Sequence, residues 1–144
     1  MQNAANYANI RIKVVYGESN ANSWDWDWVK CDLMPRTLSY LSQLLKVYPV
    51  QEKLFFTRTC SSFWPSNGKC ARIDTDAEET CGEYGAVDAA DLGHINYYYD
   101  SSTGAKTEKA AGSGGYADAD LVIYATAKTS GCSGSTLAYA GGCR

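Results

Sequence analysis

Residues 10–16 of the chain read IRIKVVY, and this stretch decides the fold class. Large apolar residues occupy every second position, with Arg11 and Lys13 between them. A period of two is typical of a β-strand that buries one face and exposes the other. We therefore predict a strand over Ile10–Tyr16.

An amphipathic helix is predicted after this strand, over about Leu33–Val47. Its apolar residues recur at intervals of four and three, the spacing of one helix face. These residues are Met34, Leu38, Leu41, Leu45 and Tyr48. Asp32 is a suitable N-cap, and Pro49 forbids continuation because proline lacks an amide proton and restricts the residue before it.

A second strand is predicted over Gln51–Thr59 and a third over Ala119–Ala127, where β-branched and aromatic residues are frequent. Strand, helix and strand in this order imply a right-handed crossover and parallel pairing of Ile10–Tyr16 with Leu54–Arg58. The predicted fold class is therefore mixed α/β, a small twisted mixed sheet backed by one main helix.

The chain is predicted to form a single partial domain in three sections. Residues 10–59 supply the strand, helix and strand; residues 60–117 form a cysteine-rich loop or insertion; residues 118–144 supply a strand and a cysteine-closed segment. Periodicity disappears after Cys60, so disulfides rather than a core are expected to order the loop. Its Gly-Ser segment, Ala110–Gly115, is interpreted as a flexible tip.

Composition excludes several classes of function. A length of 144 residues suits one compact core, and 11 tyrosines with 4 tryptophans argue against disorder. The formal net charge of -3 provides no basic field for nucleic acid or an anionic membrane surface. No stretch is long and apolar enough for a membrane span. The first residues lack the pattern of a signal peptide, so we expect that the natural N-terminus has been lost or that Met1 is an internal methionine.

The cysteines indicate an oxidising compartment. Their number is even and high for a short chain, which favours three disulfides and an extracellular, cell-surface or secretory-pathway location. Zinc binding is the alternative, but the sequence has no C-x-x-C pair, so a structural zinc site is not expected. The six residues are Cys31, Cys60, Cys70, Cys81, Cys132 and Cys143.

No catalytic or metal-binding residue is predicted from these patterns. His94 is the only histidine, and one imidazole in a loop makes neither a three-ligand zinc site nor an H-E-x-x-H helix. A Ser, His and Asp triad through His94 would lack the G-x-S-x-G elbow. The acidic run Asp74–Glu79 lacks the glycine and the distant glutamate of a calcium loop, so it is interpreted as a solvated loop.

Three tryptophans alternate with aspartates over Trp24–Trp28. The preferred interpretation is an extended segment that lays its indoles on the core. The alternative is a sugar-stacking face, because exposed indoles beside carboxylates suit sugar rings.

Three blocks of the sequence resemble the leishmanolysin-type zinc metalloendopeptidases, the metzincin group that includes invadolysin. The blocks are ADLVIYATA at residues 119–127, followed by Cys132, AYA at 138–140 and Cys143; Met34 and Pro35 with LLKVYPVQ at 44–51; and CGE at 81–83 shortly before Val87 and Leu92. The second block is similar to the family's helix ending in L-K-V-x-x-V-Q. Together the blocks cover most of the chain, about Ile10–Arg144, in the right order.

The resemblance implies a catalytic domain in which zinc and three histidines act on a peptide or protein substrate. This chain contains no H-E-x-x-H, so it corresponds only to the N-terminal part of that domain. We expect no bound zinc and no activity from the chain alone. No catalytic residue is carried over.

The resemblance also implies one disulfide, Cys81 with Cys143. Cys60 with Cys70 is then a plausible local bridge, which would leave Cys31 with Cys132. Six cysteines permit fifteen connectivities, so only the first pairing has support beyond proximity.

Two hypotheses of function follow. In the first, the chain is a truncated or fragmentary member of the zinc metalloendopeptidase family. In the second, it is a disulfide-stapled extracellular binding or adhesion module. If the first is correct, the apolar helix face and residues 121–124 should be incompletely covered.

Overall fold

A computed structural model of the chain describes residues 6–19, 21–75, 78–97 and 107–129. Within these ranges the protein has one helical run of 22 residues and several small sheets, which confirms the mixed α/β fold class. The described residues before 55 and after 116 form one compact unit, and those from 55 to 116 form a second. The prediction of a single partial domain with an insertion stays a prediction.

The sheet of the first unit pairs two predicted strands that are distant in sequence. Strand β2 (Ile12–Ser19) lies parallel to β8 (Leu121–Ala127), with Ile12 opposite Leu121 and in register to Tyr16, after which the register shifts. Both strands confirm their predictions with small shifts at the ends. A short antiparallel pair, β1 (Ala8–Asn9) with β3 (Lys46–Val47), completes the described strands of this unit.

The predicted pairing of Ile10–Tyr16 with Leu54–Arg58 is wrong. In the described chain the partner of β2 is β8, and Leu54 and Phe56 form only isolated bridges, so Gln51–Thr59 is not a strand. A parallel pair requires a crossover, but the pattern of a strand does not say which later strand it joins. The prediction chose the first apolar run after the helix.

The helical run is longer at its start than predicted. It comprises α1 (Ser23–Trp28), a π-helical segment (Val29–Leu33) and α2 (Met34–Leu44). Asn22 is the N-cap: its side-chain oxygen accepts a hydrogen bond from the Trp24 amide at 3.1 Å. The widened turn precedes Pro35, whose ring offers no amide to an α-helical ladder.

Two predictions about this helix are corrected as a result. Asp32 is not an N-cap but lies inside the helix, where its carboxylate is 2.7 Å from the guanidinium of Arg36 one turn later. The helix ends at Leu44 rather than Val47, because Lys46 and Val47 pair with β1 instead.

The second unit contains regular structure where a loop was expected. Strands β4 (Cys60–Phe63) and β5 (Cys70–Ile73) form one hairpin, and β6 (Ile95–Tyr97) pairs antiparallel with β7 (Thr107–Lys109). Two 3₁₀ turns, Gly82–Tyr84 and Ala89–Asp91, lie between the hairpins. These strands have three or four residues, too few for an alternating pattern to show.

The Gly-Ser segment 110–115 is packed, not a flexible tip. The amides of Gly112 and Gly114 donate to the carbonyls of Leu92 and Ala90, each at 2.8 Å. Gly115 has φ +77, and a Cβ atom there would lie 2.7 Å from the ring of Phe55. The glycines are needed because the backbone approaches its neighbours more closely than a side chain would allow.

Buried residues are few in the described chain. The apolar ones are Ile10, Val87, Leu92, Tyr116 and Ala119. The helical run contributes no buried residue. The first unit therefore rests on a thin apolar core.

Candidate functional site

The Asp120 carboxylate, immediately before β8, is a highly connected polar group of the first unit. Its side chain is 3% exposed and accepts four hydrogen bonds. Arg11 donates its amide and Nε to Oδ2, both at 2.9 Å, and its Nη2 to Oδ1 at 2.8 Å. The amide of Val50 donates to Oδ1 at 2.7 Å. We call Arg11, Val50 and Asp120 the strand anchor.

The strand anchor joins three segments that are far apart in sequence. Arg11 Nη2 also donates to the Val50 carbonyl at 2.7 Å, so each of the three residues is hydrogen-bonded to the other two. The Asp120 amide in turn donates to the Arg11 carbonyl at 2.8 Å. Arg11 precedes β2 and Asp120 precedes β8, so the anchor fixes where the parallel pair begins.

The charges of the strand anchor stabilise each other. The Arg11 guanidinium, together with the amides of Arg11 and Val50, holds the pKa of the Asp120 carboxyl well below its usual range. The same hydrogen bond raises the pKa of Arg11. Asp118 is a weaker partner, because its carboxylate is 93% exposed and 3.4 Å from Nη1. The Asp120 side chain is buried, and its hydrogen bonds are all made to groups of the same chain. The anchor is therefore a structural element, and its carboxylate is not available for catalysis.

Neither Asp118 nor Asp120 is predicted as a site from the sequence. The available signal was the presence of opposite charges, Arg11 and Asp120, at the second residue of each of two predicted strands. Since parallel strands begin at the same edge of a sheet, such charges meet when the two strands pair.

Cys60 and Cys70 form a disulfide across the β4–β5 hairpin, with their Cα atoms 5.8 Å apart. This is the local bridge put forward from the sequence. Cys81 is also disulfide-bonded. Its expected partner, Cys143, lies outside the described residues, as does Cys132.

The expected pairing of Cys31 with Cys132 is wrong. Cys31 is a free, exposed cysteine in the π-helical segment. This pairing was predicted because it was the one left after the other two pairs. Such a prediction requires that every cysteine form a disulfide.

The acidic run is not uniformly solvated in its described part. Glu79 is fully buried, and its carboxylate accepts hydrogen bonds from the amide and the hydroxyl of Thr59. Glu78 is exposed, and the amide of Thr75, donating at 2.7 Å, lowers its pKa. Glu79 therefore holds Thr59 in place immediately before β4, and the interpretation as a solvated loop is wrong for Glu79.

His94 lies between the 3₁₀ turn at Ala89–Asp91 and β6. Its Nε2 is 3.3 Å from Oε1 of Glu108 on β7, and both side chains are largely exposed. One imidazole and one carboxylate do not make a zinc site. Groups of three or more potential metal ligands are absent from the described residues.

The tryptophan segment is helical, so the prediction of an extended segment is wrong. Trp26 packs edge-on against Tyr16, with ring centroids 5.8 Å apart, and Lys30 lies 5.8 Å above the Trp26 ring. Asp27 forms an ion pair with Lys30 at 2.8 Å and raises its pKa. Trp24 and Trp28 are instead 74% and 49% exposed. Of the three indoles only Trp26 is half-buried, and none belongs to the buried core.

The apolar helix face is incompletely covered. Leu38 and Leu41 are half-buried and Leu45 is exposed. A second stripe, which we call the outer stripe, comprises Leu33, Tyr40 and Leu44, and all three side chains are exposed. On the sheet, Leu121 is exposed and the next three residues are half-buried.

Comparisons with known proteins found no match among protein-family models, curated proteins or solved structures. None of the helices in the described part of the chain is long and apolar enough to cross a membrane.

Proposed function

We propose that this chain is the N-terminal part of the catalytic domain of a leishmanolysin-type zinc metalloendopeptidase and contributes scaffold rather than catalytic groups. The parallel pairing of β2 with β8 carries the proposal. Strand β8 contains most of the first block of the resemblance. The second block begins in the helix that precedes β8 in sequence, at Met34 and Pro35, and runs beyond the end of α2 at Leu44. The resemblance implies strands and a backing helix for this part of the domain.

The thin core supports the proposal that more polypeptide belongs to the same domain. None of the residues of the helical run is buried, although its apolar residues recur at helical spacing. An amphipathic face normally packs on another element. In the proposed protein, the remainder of the catalytic domain covers part of this surface.

The resemblance also implies zinc, which would supply a polarised water for peptide-bond hydrolysis. The residues described here do not fit this ion, because His94 has only Glu108 beside it and no cluster of ligands surrounds it. The contribution of this chain is therefore limited to positioning. Within the described residues the β2–β8 sheet has two strands, and the proposed protein uses a strand edge to align a peptide by main-chain pairing.

The proposal is tested by determining the reading frame that continues beyond the codon for Arg144. We expect H-E-x-x-H in that frame, and we expect the protein expressed from the extended frame to contain one zinc and to cleave peptides. The matched control replaces the glutamate of that motif with glutamine, which should retain zinc and lose cleavage. Stoichiometric zinc and proteolysis by the 144-residue chain itself, or a frame without the motif, would refute the proposal.

A binding or adhesion module is the second candidate, favoured by the two exposed indoles on α1. Trp24 and Trp28 are one helical turn apart, so they lie on the same side of the helix. A glycan array with the 144-residue chain tests this function. Binding that the Trp24→Ala and Trp28→Ala variants lose, and a Tyr48→Ala variant keeps, would favour the module; no binding would exclude sugars as ligands.

A further inference from the structure

The tip of the disulfide-closed hairpin contains the only Asn-Gly step of the sequence, Asn67–Gly68. Residues 65–67 form the turn between β4 and β5, and Asn67, Gly68 and Lys69 are all exposed. We propose that Asn67 is a site of spontaneous succinimide formation, which converts it to aspartate and isoaspartate.

The position of the Asn67 side chain favours this reaction. Its Oδ1 accepts a hydrogen bond from the Lys69 amide at 2.9 Å, so the side chain folds back over the peptide bond to Gly68. This places the side-chain carbonyl beside the backbone nitrogen that must attack it. The Lys69 amide also polarises that carbonyl and stabilises the negative charge that develops on its oxygen during attack.

The surroundings of Gly68 leave room for the ring. Gly68 has φ +67, and, apart from its chain neighbours, no described residue has an atom within 4 Å of the position a Cβ would occupy. Without a side chain, the Gly68 nitrogen is open to approach from the Asn67 amide.

One contact opposes the reaction and sets its rate. The Gly68 amide donates to the Trp64 carbonyl at 2.9 Å, and this hydrogen bond must break before the nitrogen can attack. The Asn67 amide makes a longer bond to the same carbonyl, at 3.3 Å. Because the turn is exposed, its local opening requires no loss of buried apolar contacts.

The chemistry needs only the chain and water. The Gly68 nitrogen forms a bond to Cγ of Asn67 and loses its proton, and the Cγ–Nδ2 bond breaks to release ammonia. Water then adds to one of the two ring carbonyls. Opening at Cγ gives aspartate, and opening at the backbone carbonyl gives isoaspartate, in which the chain runs through the side chain.

Both products change the hairpin. Each adds one negative charge to a chain whose formal charge is -3. Isoaspartate also lengthens the backbone between Trp64 and Lys69. In the unmodified turn the Trp64 amide donates to the Lys69 carbonyl at 2.9 Å. The strand register beside Phe63, an exposed aromatic residue, would shift accordingly.

The experiment incubates the native 144-residue chain at neutral and mildly alkaline pH and follows the hairpin peptide by mass spectrometry. We expect replacement of NH₂ by OH at residue 67, with a transient species that has lost ammonia. Conversion should be at least about tenfold faster than at Asn22, the helix N-cap, in the same sample. It should accelerate with pH, because the attacking nitrogen must lose its proton.

Two comparisons make the result decisive. The Asn67→Gln variant keeps the polar groups but needs a larger ring, so its hairpin peptide should stay unchanged. If that variant gains the same mass, the modified residue is not Asn67. If the native chain stays unmodified while the same chain in denaturant converts, the folded turn blocks the reaction and the proposal is overturned.

Discussion

The strand anchor gives the sharpest prediction. Replacing Asp120 with asparagine keeps the shape of the side chain but removes its charge and turns one acceptor into a donor that faces Arg11 or Val50. Breaking a buried ion pair costs about 3–5 kcal/mol, whereas an exposed pair is worth about 0–1 kcal/mol. Asp120 is almost fully buried, but the Arg11 side chain is 35% exposed, so water replaces part of the lost interaction. We expect Asp120→Asn to lower the free energy of unfolding by about 2 kcal/mol.

Thermal unfolding followed by far-ultraviolet circular dichroism measures this change, because the helical run belongs to the same unit as the anchor. At about 4 °C per kcal/mol for a chain of this length, the Tm should fall by about 8 °C. The control is Asp118→Asn, which removes the exposed partner of the same arginine and should change the free energy of unfolding by no more than about 0.5 kcal/mol.

The pH dependence separates the charge from the packing. The pKa of Asp120 is lower in the folded protein than in the unfolded chain, so its stabilisation is present above about pH 4 and is lost as the pH falls further. The difference between wild type and Asp120→Asn should therefore shrink below about pH 4. Equal effects of the two aspartate variants, or a difference that does not depend on pH, would refute the electrostatic account.

Three further outcomes are expected. Gly115→Ala should destabilise the second unit by about 2 kcal/mol, because the new side chain meets both a positive φ and a clash with Phe55. Gly68→Ala, which has a positive φ but no clash, should cost about 1 kcal/mol. Similar losses of unfolding free energy for the two variants in denaturant titrations would contradict the clash. Replacing Cys60 and Cys70 with serine should cost about 3 kcal/mol from loop entropy, measured by unfolding of this variant and the unchanged chain without reductant. The chain should bind a hydrophobic dye at its exposed apolar side chains. Tyr40→Ser, in the outer stripe, should weaken dye binding and change the free energy of unfolding by no more than about 0.5 kcal/mol. Undiminished dye fluorescence would show that the dye binds elsewhere.

Local patterns predicted the elements with strong periodicity. These elements are β2, with its alternation, β8, with its branched residues, and α2, with its four-three spacing. Each pattern depends only on which side chains of one element face the apolar interior. The segment Trp24–Trp28 was misassigned because its strict alternation of indole and carboxylate imitates a strand. Asn22, a strong N-cap residue before it, was the signal that pointed to a helix.

Interactions between distant residues could not be read in the same way. The partner of β2, the role of Asp120 and the burial of Glu79 all depend on which segments meet in three dimensions. The hairpins of the second unit were missed for a different reason, since their strands are too short to show a period. Only the proximity of Cys60 and Cys70 in sequence hinted at one of them.

The parallel pairing of β2 with β8 has a consequence for how the protein folds. Arg11 and Asp120 are 109 residues apart, and closing a flexible loop of that size costs about 4 kcal/mol of chain entropy. Contacts between such distant residues slow folding. A ribosome adds about 5–20 residues per second, so β2 and its helix wait roughly 5–20 s for the other strand to be made. During that interval their apolar faces are available to chaperones and to other nascent chains.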